Sequence, residues 1–197
     1  MHEPSGVKPL PLILASSSPR RLMLLKQIGL VPDQVVSPDI DETPARDEPP
    51  RLYAERMARA KAAAVPASEH LVLAADTVVA AGRRILPKAD SAAEVRACLA
   101  LLSGRRHRVL TAIALAAPDG RLTERIVEST VTFNRLTDAQ VDRYVLTAEG
   151  EGKAGGYAIN GQAASFIRFL SGSYSAVVGL PLFETAQLLR GHGWRVP

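Results

Sequence analysis

The stretch His107–Phe133, HRVLTAIALAAPDGRLTERIVESTVTF, decides the fold class. Both of its halves, His107–Ala117 and Arg121–Phe133, alternate in the manner of strands. The Pro118-Asp119-Gly120 turn between them predicts an antiparallel hairpin. A long central hairpin excludes a purely parallel sheet. On its N-terminal side, His70–Ala81 is apolar except for Asp76-Thr77, as suits a strand covered on both faces. Gly82-Arg83-Arg84 turns that strand into a short Ile85-Leu86. Asp90-Ser91 caps a helix through Val95, Cys98, Leu99 and Leu102 that closes at Gly104. Further out, Leu12–Ala15 reads as a short buried strand that breaks at Ser16-Ser17-Ser18-Pro19. There a serine can cap a helix carrying Leu22, Leu25 and Ile28, which stops at Gly29. A loop-rich stretch from Pro32 holds a weak strand at Gln34–Val36. Pro49 and Pro50 then open a second helix through Tyr53, Met57 and Ala60 that ends at Pro66.

Beyond the hairpin, Asp138–Ala148 is a capped helix and Gly150–Gly156 is glycine-rich. Strands are expected around Tyr157–Asn160 and Ala164–Leu170, then a loop over Ser171–Gly179 and a last helix over Pro181–Arg190. The expectation is an α/β fold: a mixed, partly antiparallel central sheet flanked by helices. No repeat or low-complexity linker divides the 197 residues, so one domain over 1–197 is expected, with 1–9 as a flexible N-terminus.

Composition narrows the function classes. Hydrophobic residues at 47% and charged residues at 22% match globular usage and exclude disordered, collagen-like and coiled-coil chains. No apolar run approaches the ~20 residues that cross a bilayer. Leu10–Ala15 is too short, and lacks the preceding basic segment, for a signal peptide. The single cysteine, Cys98, cannot form an internal disulfide and suits a cytoplasmic protein. The net charge of +4 comes from nineteen arginines and only five lysines, a bias that a GC-rich genome would also give. With 5% aromatic residues and no continuous basic stripe, a nucleic-acid surface is not expected.

Five segments have chemical potential, each with a plainer alternative. Leu14–Arg21 ends a strand in serines before a helix whose first turn holds Arg20 and Arg21. That arrangement suits a phosphate cradle, with Ser16 among the donors, or a capped helix with solvated arginines. It is not a P-loop, because Gly-x4-Gly-Lys-[Ser/Thr] is missing. Asp76 stands in an apolar run where an unpaired carboxylate costs several kcal/mol, so it needs a cleft, a metal or a basic partner, unless it marks a turn. Asp39-Ile40-Asp41-Glu42 offers oxygen ligands, or is a solvated acidic loop. Lys61 and Lys88, two of the few lysines, are phosphate partners or surface residues. In Gly152–Gly172, Asn160 offers a donor and an acceptor to a base edge, unless the segment is a glycine-rich hairpin with no ligand. His2, His70, His107 and His192 lack metal spacing, and they read with Cys98 as structural.

Together these segments resemble the Maf family of nucleoside triphosphate pyrophosphatases, also described as septum-formation inhibitors, from Leu12 to about Leu189. The resemblance rests on Leu14-Ala15-Ser16-Ser17-Ser18-Pro19-Arg20-Arg21, Arg59-Ala60-Lys61-Ala62, Ala75-Asp76-Thr77-Val78, Lys88, Gly155-Gly156-Tyr157-Ala158-Ile159, and Gly172-Ser173-Tyr174 through Pro181. It implies two lobes around a cleft and hydrolysis of a nucleoside triphosphate between its α and β phosphates. It further implies a divalent cation (Mg²⁺, Mn²⁺ or Co²⁺) and suggests a homodimer. Asp76 matches the proton acceptor that activates water. Ser16, Arg20, Arg21, Lys61 and Lys88 match positions that hold the triphosphate, and Glu42 with Asp76 lies at the metal. Arg20 and Thr77 match the dTTP/UTP subfamily. The third position associated with base choice is usually glutamine and is Asn160 here, whose amide is one methylene shorter. The competing class is a nucleotide-binding regulator of cell division in which hydrolysis is incidental. The presence of Asp76 with lysines and acidic metal candidates favours catalysis, since binding alone needs no buried base.

Overall fold

The central strand of the molecule, β3 (Leu71–Ala81), has neighbours over most of its length but a gap in the middle of one edge. That gap positions the site. The computed structural model describes residues 9–196, so residues 1–8 of the expected flexible N-terminus, including His2, lie outside the described residues. In chain order the elements are β1 (Leu12–Ala15), α1 (Pro19–Gln27), β2 (Gln34–Val36), α2 (Pro50–Ala63), β3, β4 (Arg84–Leu86), β5 (Lys88–Ala89) and α3 (Ala92–Leu102). They continue with β6 (Arg106–Ala116), β7 (Leu122–Phe133), α4 (Asp138–Leu146), β8 (Lys153–Ala154), a 3-10 turn (Gln162–Phe166), β9 (Ile167–Ser171), α5 (Tyr174–Val178) and α6 (Leu182–Arg190).

The main sheet has the order β2-β1-β3-β6-β7-β9, with β4 added against β3, while β5 and β8 form a separate ribbon. β1 runs parallel to both β2 and β3, and the remaining pairs are antiparallel. The sheet is therefore mixed, and the β6–β7 hairpin is in register from Ala116↔Leu122 to Arg106↔Thr132.

Alternation along β3 divides the core in two. Leu71, Leu73, Ala75 and Val79 join Leu25 of α1, Leu99 of α3, Tyr144 of α4 and Leu189 of α6. Val72, Ala74, Val78 and Ala80 join Leu110, Ala112 and Ala114 of β6 under Ala54, Met57, Ala58 and Ala62 of α2. Alanines on both surfaces leave room for α2 to lie close to the sheet. Asp76 belongs by parity to the face under α2, and Thr77 to the opposite face. Among the described residues no helix is long and apolar enough to cross a membrane.

Three expectations need correction. Tyr157–Asn160 is turn and coil, because Gly155 and Gly156 both adopt left-handed backbone (φ 70° and 68°) and redirect the chain. The residues that pair are Lys153-Ala154, against Ala89 and Lys88. The strand placed at Ala164–Leu170 divides into the 3-10 turn and β9. The loop expected over Ser171–Gly179 contains α5, where the Ser173 hydroxyl accepts from Ala176 N and Gly179 (φ 138°) ends the helix.

Candidate active site

β1 covers β3 only as far as the Ala15↔Ala74 pair, and β4 resumes that edge at Val79↔Leu86. Between them lies Ala75-Asp76-Thr77-Val78, the segment whose edge no strand covers. Ser16-Ser17-Ser18 leave β1 at this level, so the chain break and the open edge coincide. A cavity of about 270 Å³ forms there. It is lined by every residue singled out for the site: Ser16, Arg20, Arg21, Glu42, Lys61, Asp76, Thr77, Lys88 and Asn160.

The acidic half is built around one ammonium. Lys61 in the last turn of α2 points down to the sheet, with Nζ 2.6 Å from Asp76 Oδ1 and 2.8 Å from Glu42 Oε1. Asp76 is 5% exposed and Lys61 6%. Asp76 Oδ2 has no hydrogen-bond partner among the described residues. Lys88 Nζ closes the group on Glu42 Oε2. Burial pushes the Glu42 carboxyl up, but hydrogen bonds from Lys61 and Lys88 outweigh it and hold the group at about 2. Tyr53 donates its hydroxyl to the Glu42 carbonyl (2.7 Å), which fixes the loop that carries this residue. Burial, with the charges of Asp76 and Glu42, pushes the Tyr53 phenol up to about 12. Of the Asp39–Glu42 cluster only Glu42 lines the cavity. Asp41 instead accepts from Thr43 N within its own loop.

The basic half is built on α1. Ser18 occupies the cap position, but its hydroxyl makes no capping bond; Ser16 Oγ accepts from Ser18 N instead. The expected capping serine is thus absent, and the serine turn is held from one residue further back. Arginines in a first helical turn oppose the dipole. Here they are directed to carbonyls at the C-terminal end of α5: Arg20 Nε donates to Val178 O (3.4 Å) and Arg21 Nε to Gly179 O (2.9 Å). Arg21 also donates to Ser16 Oγ (3.0 Å) and Thr77 Oγ1 (3.4 Å). Burial lowers the Arg21 pKa, with Asp76 opposing that shift, and burial lowers that of Arg20. The Thr111 hydroxyl donates to Ala176 O (2.7 Å) and lies 3.1 Å from Thr77 Oγ1. Thr77 Oγ1 thus lies between the Thr111 hydroxyl and the Arg21 guanidinium, from which it accepts. Thr77 therefore orients Arg21 from the sheet.

Lys153 also lines the cavity and was not singled out from the sequence, although the Gly152–Gly172 stretch containing it was. Its signal was the scarcity of lysine that drew attention to Lys61 and Lys88. Tyr157 lines the same wall and is anchored from behind by His107, with Nε2 and the phenol oxygen 2.8 Å apart. Burial holds His107 down to about 4, so it is neutral near pH 7 and structural, as its sequence context indicated.

The lining thus opposes five cationic side chains to two carboxylates, an excess of three positive charges that suits a polyanion. For a divalent cation the donors are Asp76 and Glu42. Among the described residues no group of three or more His, Cys, Asp or Glu side chains forms a cage. Two carboxylates completed by ligand phosphates and water match the habit of Mg²⁺, which seldom occupies an all-protein cage.

A protein-family model described as Maf-like protein matches residues 11–192. A relative from Rhodospirillum rubrum named dTTP/UTP pyrophosphatase is 62% identical over 188 residues, covering 94% of this chain and 89% of its own length. Another of the same name, from Granulibacter bethesdensis, is 58% identical over 201 residues and 94% of both chains. Among solved structures, the Staphylococcus aureus Ham1 protein superposes with a TM-score of 0.50 at 17% identity, covering 92% of this chain and 98% of the other, a likeness of fold alone. With a family model running nearly end to end and relatives more than half identical over the same span, the chain belongs to the Maf-like protein family.

Proposed function

We propose that this chain is a nucleoside triphosphate pyrophosphatase that cleaves dTTP and UTP between the α and β phosphates. The products are a nucleoside monophosphate and pyrophosphate. The observation that carries the reading is the buried Lys61–Asp76 pair at the open edge of β3. A carboxylate at that depth costs several kcal/mol unless it is paired. Asp76 is paired through one oxygen only, while Oδ2 stays uncommitted in a cavity whose charge suits a triphosphate. The names of the relatives from Rhodospirillum rubrum and Granulibacter bethesdensis support the same activity and base preference.

In this reading a water oxygen attacks the α phosphorus, its proton passes to Asp76 Oδ2, and the bond to the β-phosphate oxygen breaks. Lys61 holds Asp76 in place through Oδ1. Arg21, fixed by Gly179 O, Ser16 and Thr77, offsets the charge that develops on the leaving pyrophosphate, together with Lys88. Asp76 and Glu42 would hold a divalent cation, Mg²⁺, Mn²⁺ or Co²⁺, which when bound supplies Lewis-acid polarisation of the phosphates. Cytoplasmic residence and a homodimer belong to the same proposal.

The test is pyrophosphate release from a panel of nucleoside triphosphates with each of the three metals, for the wild type and Asp76→Asn. The variant is expected to lose about 10²–10⁴-fold in kcat, the usual contribution of a positioned general base, while keeping its circular dichroism spectrum. Wild-type turnover in Asp76→Asn contradicts the assignment.

A further inference from the structure

The two halves of the cavity differ in how their charges are balanced. Lys61 and Lys88 are neutralised by Asp76 and Glu42. Arg20 and Lys153 have no carboxylate partner among the described residues. In the β5–β8 ribbon Lys88 is directly opposite Ala154 and Ala89 opposite Lys153, so the two lysines alternate to opposite sides. Lys88 goes to Glu42. Lys153 lies within range of the Arg20 charge, which adds to burial in lowering its pKa.

The wall from Gly152 to Asn160 is otherwise uncharged, with Tyr157 and Ile159 offering apolar surface. An uncharged, partly apolar wall suits the base of a nucleotide better than its phosphates. The polar groups left uncommitted at this end can be counted. Arg20 uses Nε on Val178 O and keeps both Nη groups. Lys153 Nζ donates once, to Glu151 O (3.0 Å), and keeps two protons. The Asn160 amide has no partner among the described residues. The end is therefore rich in donors, with the Asn160 carbonyl as an uncommitted side-chain acceptor.

We propose that Lys153 is a specificity-determining residue that, beside Arg20, selects bases presenting carbonyl oxygens on either side of an N–H. Uracil and thymine have that edge: O2 and O4 accept from the cations, and N3–H donates to Asn160. Cytosine turns an amine toward the same cations, so the contact made at O4 is lost, and its N3, which has no proton, is met only if the Asn160 amide turns its N–H forward. This rests on the pyrophosphatase reading and adds the means of base choice, carried by a residue outside the phosphate-binding group. Discrimination of this kind arises because a bound base shields these partly exposed groups from water, and the rejected base leaves donors unpaired beneath it.

The experiment compares kcat/KM for UTP, CTP and methyl triphosphate, which has no base, in the wild type, Lys153→Met and Lys153→Gln. Binding of α,β-methylene-UTP and α,β-methylene-CTP is measured alongside by calorimetry. Losing one charge-assisted hydrogen bond corresponds to about a 10- to 100-fold loss. That loss is expected in Lys153→Met for UTP, mainly in KM, and it should exceed the losses for CTP and methyl triphosphate by about tenfold or more. Lys153→Gln, which keeps a donor and adds an acceptor for the cytosine amine, should narrow the UTP/CTP ratio further from the CTP side. Equal losses for all three substrates would place Lys153 on the triphosphate and overturn the proposal, as would no loss for any. If the wild type hydrolyses nothing yet binds the uridine analogue in preference to the cytidine one, and Lys153→Met removes the preference, the pyrophosphatase reading fails and the base selection stands.

Discussion

Replacing Lys61 by methionine removes one charge and leaves a side chain of nearly the same length. The ammonium lies 2.6 Å from Asp76 Oδ1 and 2.8 Å from Glu42 Oε1, in a residue 6% exposed. Glu42 is partly open to solvent and still has Lys88, so it rehydrates cheaply. Asp76 is 5% exposed, and Lys61 is its sole hydrogen-bond partner among the described residues. Breaking a buried pair from one side costs about 3–5 kcal/mol, because the remaining charge stays buried. In a chain of this size each kcal/mol moves the melting midpoint by about 2–4 °C, so a fall of about 6–20 °C is expected near neutral pH.

A second substitution identifies the cause. Without Lys61 the Asp76 carboxylate stays buried with no ammonium against it, so removing that charge as well should return most of the lost stability. Urea unfolding near neutral pH should therefore place Lys61→Met/Asp76→Asn closer to the wild type than Lys61→Met. A deficit below about 1 kcal/mol in Lys61→Met, or one that Asp76→Asn does not reduce, would mean that Lys61 contributes only its methylenes.

Two further outcomes follow from the same geometry. Glu42, held at about 2 against an ordinary 4.5, adds stability that is complete above pH 4.5 and is lost as pH falls toward 2. Melting temperatures of the wild type and Glu42→Gln should therefore differ at pH 6 and converge near pH 2, as followed by circular dichroism. Gly156 has φ 68°, and an added Cβ would lie 3.1 Å from Val95 Cα and 3.0 Å from Cys98 Cβ. Because part of that contact is backbone, Gly156→Ala should cost about 1–3 kcal/mol in urea unfolding.

The parts of the fold that could be read in the sequence are those with strong local periodicity or punctuation. The Pro118-Asp119-Gly120 turn, the apolar run into β3, the Ser91 cap and the Gly29 stop all lie where their residues imply. Around Gly150–Gly179 the local signals mislead. Tyr157-Ala158-Ile159 has strand composition, but two left-handed glycines before it and a buried phenol held by His107 make it a turn. The ladder partner of Lys153-Ala154 is more than sixty residues back, which no window of neighbours reveals. α5 is five residues long, too short to show a helical period.

At the site, the residue types were legible and the pairings were not. Asp76 inside an apolar strand demanded a partner. That the partner is Lys61, and that Lys61 also holds Glu42, depends on α2 crossing the sheet at that point. The first-turn arginines suggested an anion by opposing the helix dipole. The structure adds that the carbonyls of Val178 and Gly179 already meet part of that charge, which a reading of α1 alone could not show. Lys153 was missed because its neighbourhood looked like a glycine hairpin, and its nearness to Arg20 exists only in the folded chain.

The central claim is that the cavity at the open edge of β3 cleaves a nucleoside triphosphate between its first two phosphates. Phosphorus-31 NMR of UTP incubated with the protein and Mg²⁺ in ¹⁸O-enriched water tests it most directly. The expected spectrum is that of UMP and pyrophosphate, with one ¹⁸O carried on the UMP phosphorus. UDP with inorganic phosphate, or label on the pyrophosphate, contradicts the account.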